Sequence, residues 1–146
     1  MQQRLLTYVP THLTAYGVVH AALSITESMN SEQLRCFFYV PSGDSEIKAG
    51  IVKKTIPSFI SQILYKAKLL YLHKVISEIL FFRKIKGGDI IYLWPGVSLS
   101  LIKKVKAKGN VIIIENINCH QVTSTNFRWG GKAAKHYQHL PNDTAV

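Results

Sequence analysis

The chain is poor in cysteine, with two in 146 residues. Cys36 and Cys119 each lie in or beside an apolar run, which leaves neither a disulfide framework nor a zinc ligand set and points to a reducing compartment. Acidic side chains are scarce as well: 8 Asp and Glu stand against 18 Lys and Arg, a formal net charge of +10. Such an imbalance favours anionic partners such as phosphorylated lipids, acidic glycans, nucleotides or nucleic acid. No clean membrane-length run occurs, because the apolar stretch from Phe59 to Phe82 is interrupted by Lys66, Lys68, His73, Lys74 and Glu78. It reads as a helix that stays out of the bilayer core. The opening Met1-Gln2-Gln3-Arg4-Leu5-Leu6 lacks the apolar centre of a signal peptide, so export by that route is not expected.

Several motifs are missing too. There is no G-x-G-x-x-G after the first apolar run and no G-x-x-x-x-G-K-[ST], so a dinucleotide oxidoreductase and a P-loop enzyme both lack their phosphate cradle. A G-x-S-x-G nucleophile elbow is absent. His136 and His139 have metal-like spacing but no third ligand nearby, so no metal is expected. No nucleic-acid-binding signature accompanies the lysines, and nucleic acid is not an expected partner.

What is present is a core-forming composition, 47% hydrophobic with 18% charged, which fits one ordinary domain and excludes a disordered chain. Arg4 to Val9 and Leu34 to Val40 are apolar runs closed by proline, each reading as a buried strand. A helix is expected from Val18 to Met29, and a short strand near Gly50 to Ile56. From Pro57-Ser58 onward, apolar residues recur at helical spacing, predicting one long helix that ends by Gly87-Gly88. Asp89 to Trp94 reads as a strand, Val97 to Lys108 as a helix stopped at Gly109, and Asn110 to Glu115 as a strand of β-branched residues. Strands alternating with helices predict βαβ units, hence a Rossmann-like α/β domain with a parallel sheet and helices on both faces. After Asn118 the periodicity fades. The expected organisation is a domain over residues 1–125 and an irregular tail over 126–146, as though the fold were cut short.

Ligands of open parallel sheets bind outside the carboxyl ends of the strands, where strand order reverses. That places Thr11, His12, Tyr16 and Gly17 after the first strand, Trp94, Pro95 and Gly96 after Asp89 to Trp94, and Glu115, Asn116, Asn118 and His120 after the last. His120 suits proton transfer near neutrality, although a capping or exposed histidine is the plainer reading. Glu115 ends an apolar strand and needs a donor, a cleft or a lysine. Asn116 and Asn118 suit either sugar hydroxyls or turns. Trp94 offers its ring either to a sugar or to packing beneath the loop. The lysines and arginines of the two later helices form either a solvated face or, beside long apolar stripes, a surface for anionic membrane.

The segment GDIIYLWPGVSLSLIKKVKAKGNVIIIENINCHQVTST, Gly88 to Thr125, resembles the amino-terminal domain of the retaining family-four glycosyltransferases, which have two facing Rossmann-like domains (the GT-B architecture). The likeness extends more weakly to Arg4 to Leu23. It implies that this half binds the acceptor, a glycan or lipid-linked sugar, and that His120 matches the histidine lining the cleft near the transferred sugar. It implies a further role for Gly17 near the donor's phosphates, although Tyr16 stands where the family commonly has a second glycine. Thr11, His12, Trp94, Glu115, Asn116 and Asn118 would then face the acceptor.

The donor-binding pair of glutamates in that family belongs to the other domain, so transfer by this chain alone is not expected and a complementing carboxyl-terminal domain is an expected partner. Neither metal nor cofactor is implied, the nucleotide sugar being a co-substrate. The expected location is the cytoplasm, peripheral to the inner face of the membrane. A rival expectation is a non-catalytic basic module for an acidic partner or membrane surface, and another is a remnant without function.

Overall fold

In the computed structural model, residues 2–15, 17–43 and 50–116 are described. Five strands and four helices follow one another as β1 (Gln3–Tyr8), α1 (Val18–Ser28), β2 (Leu34–Val40), β3 (Val52–Lys54), α2 (Ser58–Lys66), α3 (Leu70–Phe82), β4 (Ile90–Leu93), α4 (Leu99–Ala107) and β5 (Val111–Ile114). The strands form one sheet in the order β3-β2-β1-β4-β5, and every pairing is parallel. The expected Rossmann-like α/β fold is what forms.

Alternation along β1 divides the core between the two faces. Leu5 and Val9 point toward α1 and pack with Val19, Ala22 and Leu23, together with Cys36, Phe38, Val40 and Trp94. Leu6 and Tyr8 point the opposite way, into a second cluster with Phe81 of α3 and Leu101 and Val105 of α4. Successive strand side chains alternate between faces, so one buried strand feeds two cores. Helices therefore cover both faces, as the near-continuous apolar strands require.

Polar ties fix each layer. Thr26 Oγ1 hydrogen-bonds the Ala22 carbonyl at 2.8 Å and Thr7 Oγ1 at 3.0 Å, joining α1 to β1 inside the core. On the other face Tyr8 stacks on Phe81 with centroids 4.5 Å apart. Its hydroxyl meets Ser77 Oγ at 2.8 Å, and Ser77 Oγ in turn meets Thr55 Oγ1 at 2.6 Å. Burial pushes the Tyr8 phenol well above its ordinary range. Burial also raises the thiol of Cys36, which is free and buried among core residues.

The single long helix expected after Pro57 is two helices. The chain turns at Lys68, the one non-glycine residue among those described with a positive φ, 56°. Leu69 N–H donates to Leu64 O at 2.9 Å and Lys68 N–H to Tyr65 O at 3.0 Å, the paired bonds of a Schellman stop. Length explains the break. A straight helix from Ser58 to Phe82 would run for roughly 37 Å at about 1.5 Å per residue, whereas a six-residue strand spans roughly 20 Å. Folding back lets Ser61 of α2 meet His73 of α3, Oγ to Nε2 at 2.9 Å.

Two further differences concern β5 and α4. All of β5's neighbours lie on one edge, and Val111, Ile113 and Ile114 are exposed rather than buried. α4 begins at Leu99, two residues later than its periodicity suggests, because Ser98 caps it by accepting Leu101 N–H at 3.1 Å. Gly109, with φ 75°, follows the last helical turn as expected. The expected boundary at residue 125 and the tail over 126–146 lie outside the described residues.

Candidate functional site

Strand order reverses between β1 and β4, which are neighbours in the sheet. Beyond Tyr8 the chain departs to α1 on one face, and beyond Leu93 it departs to α4 on the other. Connections that part in opposite directions leave a crevice at the carboxyl edge.

Three loops build the rim, and short contacts fix how they meet. Leu13 bridges Gly43 in parallel fashion and donates its N–H to Ser42 O at 2.9 Å. His12 Nδ1 lies 2.8 Å from Ser42 Oγ. These bonds hold the loop after β1 against the end of β2. The loop after β4 meets it from the other side at Gly96, where φ is 99° and an added Cβ would lie 3.1 Å from Pro10 Cγ. Any other residue at Gly96 would be strained by its backbone and crowded by Pro10.

Thr11 and His12 stand exposed on this rim, offering a hydroxyl and an imidazole to solvent. Gly17 occupies the N-cap of α1 with φ 80°, and neither a side-chain cap nor an acidic residue occupies that first turn. The N–H groups of such a helix start favour negative charge. Tyr16 lies outside the described residues.

Glu115 finds its donor in Tyr92: the phenol hydroxyl donates to Glu115 Oε2, and Glu115 N–H donates to Leu93 O at 2.8 Å. Burial of Tyr92, followed by the hydrogen bond to Glu115 and that group's negative charge, pushes the phenol up to about 12. Tyr92 thereby helps to hold Glu115 at the end of the sheet. Trp94 is 4% exposed and packs at 5.7 Å from the Tyr92 ring. Its ring is a packing element, and its Nε1 has no hydrogen-bond partner among the described residues.

No family model, curated protein or solved structure matches the chain.

Of the residues singled out in the sequence, Thr11, His12, Gly17, Trp94, Glu115 and Asn116 all fall at the carboxyl edge of the sheet. Asn118 and His120 lie outside the described residues, as do His136 and His139. Among the described residues no three His, Cys, Asp or Glu side chains cluster as metal ligands would.

Two contributors, Ser42 and Tyr92, were not singled out in the sequence, and Gly96, which was, has a steric role there. Ser42 orients His12, Tyr92 holds Glu115 and Gly96 lets two loops touch. Tyr92 carried a usable signal, since it stands two residues before Trp94 and hence on the same strand face. Ser42 and Gly96 each follow a proline that closes a strand. The arrangement presents an imidazole–hydroxyl pair, an exposed threonine hydroxyl and one anchored carboxylate at the carboxyl edge of the sheet. Such groups suit a polyhydroxylated ligand held by directional hydrogen bonds.

Proposed function

We propose that this chain is the acceptor-binding half of a glycosyltransferase that moves a sugar from a nucleotide-sugar donor to a glycan or lipid-linked acceptor in the cytoplasm. The observation that carries the reading is the reversal of strand order between β1 and β4, with Thr11 and His12 exposed at that point and Glu115 anchored at the same edge. The resemblance of Gly88 to Thr125 to family-four enzymes supplies the substrate class.

Under this reading Thr11, the His12–Ser42 pair, Glu115, Asn116 and Asn118 hold acceptor hydroxyls. Trp94 supports the loop from below. Gly17 and the start of α1 lie nearest the donor's diphosphate, and His120 lines the cleft by the transferred sugar. Transfer calls for a second, donor-binding domain, so these residues alone bind acceptor without turning over a nucleotide sugar. No metal is required, because helix amino termini and cationic side chains stabilise a leaving diphosphate.

The test is saturation-transfer NMR on the full chain with a panel of neutral oligosaccharides and short-chain polyprenyl-diphosphate sugars. At least one should bind, and Thr11→Val with His12→Gln should weaken it about tenfold, the loss of one or two hydrogen bonds. Absence of binding by every member of the panel, or binding indifferent to both substitutions, overturns the reading.

A further inference from the structure

The corner between α2 and α3 carries a chemistry that the crevice does not use. Leu69, Leu70, Tyr71 and Leu72 are consecutive, and each is exposed, Tyr71 by 82%. A run of four exposed apolar residues on a folded domain calls for a partner. On α2, Phe59 and Ile63 are 66% and 61% exposed. They lie one turn apart on the side opposite the buried Ser61 and Leu64, and Lys66 follows them on that side.

Charge tells what covers this surface. From Gly50 to Ser77 the sequence contains no Asp or Glu but has Lys53, Lys54, Lys66, Lys68 and Lys74. The first acid, Glu78, is buried and spends its oxygens on Ser98. Beside the corner a groove of about 500 Å³ runs between α3 and α4, with Tyr71, Val75, Ile79 and Phe82 in its lining and Lys74, Arg83 and Lys104 as its cations. The turn itself retains a lysine in a left-handed conformation normally left to glycine. That choice keeps a cation at the apex of the apolar run. No described helix is long and apolar enough to cross a membrane.

We propose that the α2–α3 corner docks on an anionic phospholipid surface, with Leu69 to Leu72 entering the interface and Lys66, Lys68 and Lys74 meeting the headgroups. Apolar burial and charge act together in such interfacial docking, and a cytoplasmic leaflet supplies the negative charge. Tyrosine is well suited to the position, having an apolar ring and a hydroxyl that stays at headgroup level. The inference stands apart from the reading of the crevice, since it uses none of the rim residues.

The test is flotation of the full chain with vesicles of phosphatidylcholine alone and of phosphatidylcholine containing roughly a third phosphatidylglycerol. The chain should float with the anionic vesicles and be released when salt rises from about 0.05 to 0.5 M. Each of Lys66→Gln, Lys68→Gln and Lys74→Gln should weaken binding about fivefold. Leu70→Ser with Tyr71→Ser should weaken it tenfold or more. All of these side chains are outside the core, so unchanged unfolding midpoints will separate lost docking from lost folding. Equal binding to neutral and anionic vesicles overturns the proposal, as does a Leu70→Ser, Tyr71→Ser double variant that binds like the wild type. A dimer that this variant abolishes, with no flotation of the wild type, overturns it in favour of self-association.

Discussion

Glu78 of α3 closes the amino terminus of α4 through Ser98: its carboxylate accepts the Ser98 backbone N–H at 2.8 Å and the Ser98 hydroxyl as well. Ser98 Oγ then accepts the N–H of Leu101. A buried acid at the positive end of a helix, with both oxygens engaged, is a satisfied charge. Glu78→Ala should cost about 1–2 kcal/mol by leaving the two half-buried donors of Ser98 without their acceptor. Ser98→Ala should cost about 1 kcal/mol as the loss of a cap. Urea unfolding of the two single variants and the double variant checks both, and the double variant should fall short of the sum because the groups act in series.

Lys68 has the opposite sign of effect. A non-glycine residue at φ 56° carries backbone strain that glycine relieves. Lys68→Gly should raise the unfolding free energy by about 0.5–1 kcal/mol, read from the shift in denaturant midpoint at unchanged slope. A gain in stability joined to a loss in vesicle binding would show the strain and the charge to be separate properties of one residue.

His73 makes the helical hairpin sensitive to acid. Its ring is buried against Tyr65 and hydrogen-bonded to Ser61, and burial, with a smaller contribution from the charge of His12, lowers its affinity for a proton below that of an ordinary histidine. The unfolded chain takes up that proton near the usual histidine value of about 6.5 while the folded chain resists it. Stability from this group is therefore complete above that value and is lost as pH falls below it. Stability of the wild type should drop as pH falls below about 6.5, and His73→Gln should flatten the profile there.

Tyr92 titrates at the other end of the scale. With its phenol pushed up to about 12, the folded state holds a proton that the unfolded state releases near 10. Stability from this group is present below about 10 and is lost as pH climbs toward 12. A spectrophotometric titration of tyrosinate should show a late step that Tyr92→Phe removes. The same variant frees the Glu115 carboxylate, so binding at the rim should change with Tyr92→Phe even though the phenol itself faces the core.

Periodicity and punctuation made the sheet legible. Leu34 to Val40 is bounded by proline and by polar residues, and β2 occupies those seven residues. The break at Lys68 was not legible, because neither glycine nor proline marks it. It arises from the length of the sheet and from the meeting of Ser61 with His73, which are long-range facts. β5 was misjudged in burial for a related reason: its composition fits a doubly covered strand, but its place at the sheet edge is set by topology. At the crevice, chain order located the loops after β1, β4 and β5. The partners that orient them, Ser42 and Tyr92, are set by pairing between segments that a linear reading cannot align.

The central position of β1 sets a timetable for the growing chain. One of its two edges pairs with β4, which follows about 80 residues later in the chain. At roughly 5–20 residues per second, that edge waits several seconds on the ribosome before its partner exists. Until then Leu6 and Tyr8, which will lie beneath Phe81, Ile91 and Leu101, have few apolar neighbours of their own layer. The nascent chain thus carries an open parallel edge until Ile90 to Leu93 emerge, and their arrival is the step that commits both cores at once.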